Sequence, residues 1–159
     1  MAARLLSIYL QDHFAGASAG VSLARRVAQS NGETPAADSL REVAAEVAED
    51  RETLKRLMHD LGINPSLTKT IAAWLGERAA RLKPNGRIGG TKAFHRLHEL
   101  ELLSLGIGGK IALWESLRVA RIESAVDLDA LIDRARNQRE CVEQQRLALA
   151  REALMRNVV

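Results

Sequence analysis

Aromatic residues make up only 3% of the 159-residue chain, prolines number three, and the sole cysteine is Cys141. With so little to stiffen or break it, the chain runs in long segments rich in Ala, Leu, Arg and Glu, a composition that suits helices and gives strands little to build with. One thiol cannot close an internal disulfide. A reducing compartment, the cytoplasm, is therefore the expectation, with Cys141 a structural thiol on a helix. The longest uncharged run, Phe14 to Ala24, is far short of the roughly 20 apolar residues that a membrane span needs. The opening MAARLLSIYLQDHF reaches Gln11, Asp12 and His13 without a cleavage-type ending and reads as a helix rather than a leader. At this length, one domain over residues 1–159 can hide roughly two thirds of its surface around a real core.

What is present is helical periodicity. The spacing predicts long helices over about 2–29, 36–61, 92–123 and 127–155, with a crossover over 63–91. In the first, Leu6, Leu10, His13, Ala17, Val21, Ala24 and Val27 form the inward stripe, and Asn31 and Gly32 suit a left-handed cap. The second carries Leu40, Val43, Val47, Asp50, Leu54, Leu57 and Leu61, a heptad seam that Asp50 interrupts, and Gly62 stops it. The crossover holds a shorter helix capped by Asn64, with Leu67, Ile71, Trp74, Leu75 and Leu82 on one side, and ends in KPNGRIGG. The helix from Lys92 is apolar over more than half its girth, through Leu100, Leu103, Ile107, Trp114 and Leu117 on one face and Leu102, Leu105 and Leu113 on another, which asks for two neighbours. The last begins at an Asp127 cap, and Gln138 and Gln145 stand where Leu would be expected.

The short links after the first and third long helices force antiparallel neighbours, whereas nearly 30 residues between the two hairpins can run the length of a bundle. On this pattern, and on LGIGGKIALWESL in the third long helix, the chain resembles the ferritin-like superfamily. The resemblance implies an all-α four-helix bundle of two antiparallel hairpins joined by a crossover containing a short helix. Members that bind two metals place a Glu on each of two helices and a Glu-x-x-His on each of the others. This chain departs from that pattern. Glu46, Glu49, Asp50 and Glu52, and likewise Glu140 and Glu143, have no His three residues on.

The depth at which a ligand from the first helix would sit is occupied by DHFAGASAG, with Gly16 and Gly20 and no large side chain between them. A glycine inside a helix costs about 1 kcal/mol relative to Ala. Close approach of another helix, a ligand-sized cavity or a kink would each account for the run. The remaining signal is one polar residue on the stripe of each long helix: His13, Asp50, Glu101 and Gln138. A carboxylate taken out of water must be paired, so these four are the candidate buried cluster, with His13 a possible mate for Asp50. HRLHELE, His95 to Glu101, reads as surface ion pairs at helical spacing. A basic strip, Arg78, Arg81, Lys83, Arg87 and Lys92, runs through the crossover and its exit, without stacking aromatics or a nucleic-acid motif.

The expectation is a non-catalytic, metal-free bundle with no cofactor and no membrane or nucleic-acid partner, which self-associates as a homodimer or larger homo-oligomer. A divergent metal-dependent oxidoreductase using Glu46, Glu49, Asp50, Glu101 and His13 is the alternative. Phosphate or nucleic-acid binding through the basic strip is a third.

Overall fold

Leucine and alanine at three- and four-residue spacing turn into four helices in a computed structural model, which describes residues 2–65 and 92–155. They are α1 (Ala2–Ser30), α2 (Ala37–Asp60), α3 (Lys92–Val119) and α4 (Leu128–Met155). No strand occurs among the described residues, and none of their helices is long and apolar enough to cross a membrane. The short crossover helix expected around Trp74 lies outside the described residues, as do Arg78, Arg81, Lys83 and Arg87.

Local chemistry sets where the helices stop. At the end of α2, Gly62 takes φ 71°, Gly62 N–H donates to the His59 carbonyl and Ile63 N–H to the Met58 carbonyl. This is the reversed pair of hydrogen bonds of a glycine-type helix end. Helix α3 stops the same way at Arg121, with φ 51°, Arg121 N–H on Arg118 and Ile122 N–H on Leu117. The helix is therefore a turn shorter than the expected limit at Glu123. Ile63 and Ile122 then fold back onto the core. The left-handed cap expected at Asn31 and Gly32 does not form, since neither has positive φ. Instead Asn31 turns its side-chain amide onto the Val27 carbonyl at 2.8 Å, and its Oδ1 accepts two bonds from Arg96 at 2.9 and 2.6 Å. Asp127 does cap α4, accepting Ala130 N–H at 3.0 Å.

The helices form a ring in which α1 touches α2 and α3, and α4 touches α3 and α2. Arg51 Nε donates to Ser18 Oγ at 3.1 Å, and Tyr9 Oη to Ser116 Oγ at 3.1 Å, while Arg26 Nε lies 3.0 Å from Glu99. Low numbers on α1 thus face high numbers on both neighbours, so α1 runs antiparallel to each. Arg118 to Asp129 (2.7 Å) and Arg136 to Glu115 (2.8 Å) fix α3 and α4 as the other antiparallel pair.

Inside, two apolar clusters stack along the bundle. One gathers Val27, Leu40, Val47, Leu100, Leu103, Ile107 and Val142. The other gathers Leu10, Phe14, Leu54, Leu57, Leu113, Trp114, Leu117 and Ile132. Each large side chain so buried contributes about 1.5–3 kcal/mol against exposure. Asp50 falls between Val47 and Leu54, and Lys110 between Ile107 and Leu113. A charged layer therefore divides the core, and among the described residues it is the interior place where charged groups gather.

Candidate functional site

The layer is built by ordinary helical spacing. Glu46 is four residues before Asp50 on α2, Arg134 four before Gln138 on α4, and Lys110 is three after Ile107 and four before Trp114 on α3, so each stands on its helix's inward stripe. Asp50 and Gln138 are each 2% exposed. Asp50 Oδ2 accepts Lys110 Nζ at 2.5 Å and Gln138 Nε2 at 3.2 Å, and its Oδ1 accepts Arg134. Gln138 accepts Lys110 through its Oε1 and donates to Glu46 at 2.8 Å, and Arg134 also meets Glu49 at 3.2 Å. Both oxygens of the buried carboxylate are thus occupied by donors of this chain.

Burial holds the Lys110 ammonium below its ordinary pKa, and the neighbouring Asp50 carboxylate pulls in the opposite direction. One turn on, the Trp114 indole N–H is buried and has no acceptor among the described residues; Arg134 Nε is in the same position. Beside the layer, where α2 and α4 touch least, an open cleft is lined by Ala48, Glu49, Glu52, Thr53, Arg56 and Arg134. Glu49 and Glu52 bring negative charge to it and Arg56 and Arg134 positive, and it lies open to solvent rather than enclosed as small-molecule pockets are.

Of the four polar stripe residues expected to cluster, the structure joins Asp50 and Gln138 and separates the other two. The cations on Asp50 are Lys110 and Arg134, not His13. His13 packs edge-on against Tyr9 at 4.5 Å between ring centroids, and burial lowers its pKa against the pull of Asp12. Its neighbour Phe14 turns into the core instead and lies under Arg51, 4.6 Å from the ring centroid. Glu101 is half-exposed, 3.3 Å from His98 and 4.0 Å from Arg146. Of the five residues of the metal reading, Glu46, Glu49 and Asp50 meet the layer through Gln138 and Arg134, while His13 and Glu101 lie elsewhere. Among the described residues, no three His, Cys, Asp or Glu gather where they could hold a metal ion. Lys92, the one described member of the basic strip, is exposed at the start of α3.

Lys110 and Arg134 are the site residues that sequence reasoning missed, and Glu46, named there as a metal ligand, instead accepts Gln138 at 2.8 Å. Spacing puts Lys110 on the stripe between Ile107 and Trp114, but a long cationic side chain there can still reach water, so spacing alone does not place its ammonium. Of the three explanations for the glycines of α1, close approach by another helix of this chain's described residues does not occur. Helix α1 runs unbroken through them, and a Cβ built on Gly16 or Gly20 would meet no atom within 4 Å. The chain matches no family model, no curated protein and no solved structure.

Proposed function

We propose that the chain is a non-catalytic, ferritin-like bundle that acts through its outer surface and self-associates. The observation that carries this reading is the closure of the interior layer on itself: Asp50 has its donors from Lys110, Arg134 and Gln138, and Gln138 passes the network on to Glu46. In such a site the buried carboxylate and the ammonium already hold one another, and the donors left over, Trp114 Nε1 and Arg134 Nε, are closed off from solvent. The layer instead fixes which helix faces lie together, a role attested for buried polar groups elsewhere.

Support for the ferritin-like arrangement comes from the ends of the helices. Gln11, early in α1, donates to the Asn64 carbonyl at 2.7 Å, whereas Asn31, just past α1, is held by Arg96 on α3. The chain therefore leaves α2 at one end of the bundle and enters α3 at the other. Support for association lies outside, where Leu5, Ile8 and Leu105 are 62%, 49% and 70% exposed. Light scattering behind size exclusion should return twice the monomer mass at micromolar concentration, and elemental analysis of chelator-free protein should find no stoichiometric iron, manganese or zinc. A clean monomer, or near-stoichiometric metal lost on Asp50→Ala, overturns the reading.

A further inference from the structure

The outward stripe of α1 is where the fold leaves side chains unused. Leu5 and Ile8 project there, and Asp12, Gly16, Ser22 and Arg26 also face solvent. Steps of seven residues lead from Leu5 to Asp12, Ala19 and Arg26, and such steps drift by only about 20° each around a helix. Gly16 is unexplained within the chain, since a side chain there would meet nothing within 4 Å and its absence weakens the helix.

We propose that α1 packs antiparallel against α1 of a second copy of this chain, about a two-fold axis at Ala19. The inference rests on the self-association proposed above and names its surface. Charge order is what commits the face to a second copy. In an antiparallel pair centred on Ala19, positions equally distant on either side face one another, and Asp12 and Arg26 are each seven residues away. Each Asp12 carboxylate then meets Arg26 of the partner subunit, twice over by symmetry. A parallel pair would set Asp12 against its own copy and Arg26 against its own. Arg26 gives Nε to Glu99 at 3.0 Å and is 61% exposed, and its guanidinium fork has further donors for a second carboxylate. Between the ion pairs, Gly16 faces Ser22 across the axis and Ala19 faces its copy, so only small groups stand where the helices cross and their backbones can come close. Ile8 adds apolar contact towards the ends. An interface made by one helix pair falls at the small end of protein–protein interfaces.

The test begins with Ala19→Cys in a Cys141→Ser background, treated with a mild disulfide oxidant and run on a non-reducing gel. A disulfide needs Cα atoms roughly 4.4–6.8 Å apart, which only a crossing at this position supplies. The linked dimer is the expected band. In parallel, Asp12→Arg and Arg26→Asp should each weaken association on the order of tenfold to a hundredfold, and the double exchange should restore it. Gly16→Leu should lower association as well while raising the melting midpoint of the monomer, since it replaces a helix-weakening glycine in open space. A wild-type dimer that neither cross-links at Ala19→Cys nor responds to Asp12→Arg overturns the α1 face and leaves self-association standing. A wild-type chain that is monomeric throughout removes both.

Discussion

Asp50 is the residue on which the interior depends most. Removing its carboxylate leaves Lys110 and Arg134 without the acceptor they share, and breaking a buried pair in this way costs about 3–5 kcal/mol. Asp50→Ala should therefore lose that much in urea unfolding. Asp50→Leu combined with Lys110→Met should recover most of it, because an apolar pair needs no partner. Lys110 also gives the fold a pH dependence whose sign follows from its lowered pKa. Between the lowered folded value and the ordinary lysine value, the unfolded chain binds more protons at this position than the folded one, so stability gained from Lys110 rises with pH across that alkaline window. The stability of wild type relative to Lys110→Met, measured by urea titration at stepped pH, should move in favour of wild type as the window is crossed. A shift towards the variant contradicts the burial of the ammonium. Asp50 and Gln138 were legible in the sequence because each is polar where its neighbours at three and four residues are apolar. Lys110 and Arg134 were hidden by their length: long cationic side chains on a stripe ordinarily reach out to water, and only the position of a buried acid on another helix decides otherwise.

Helix ends show which local rules the sequence carries openly. Gly62 announces the stop of α2, and the structure uses its positive φ. Arg121 occupies the equivalent place after α3 with φ 51°, a conformation that a Cβ makes costly, and nothing in the residue type signals it. The two positions should therefore respond with opposite sign. Gly62→Ala should destabilise by about 1 kcal/mol, and Arg121→Gly should stabilise by up to about 1 kcal/mol, both read as shifts in the thermal midpoint. The α2 seam was the clearest element in the sequence, since Leu40, Val43, Val47, Asp50, Leu54 and Leu57 are all buried as their heptad places them. Helix α3 was legible as a helix with two neighbours, α1 and α4, but Leu105 on its second face stays exposed. An apolar girth says that a helix wants company on several sides; it does not say which side lies outside the chain. The glycines of α1 were a clear anomaly in the sequence, but the sequence did not show their surroundings: a Cβ at either would meet no atom within 4 Å.

Taken together, the bundle has an interior occupied entirely by its own side chains and an exterior with apolar and glycine positions to spare. With the buried stripes closed into a self-neutralised layer, the outer surface of α1 is where the protein's work is proposed to lie. That claim separates the layer from the association, so replacing the layer with apolar side chains should leave the association intact. The direct measurement is the solution mass of an Asp50→Leu, Lys110→Met and Gln138→Leu triple variant by light scattering, beside wild type at the same concentration. A folded triple variant with the wild-type dimer mass is the predicted result. A triple variant that melts cooperatively yet runs as a monomer would contradict the account, because the charged layer would then belong to what the protein does.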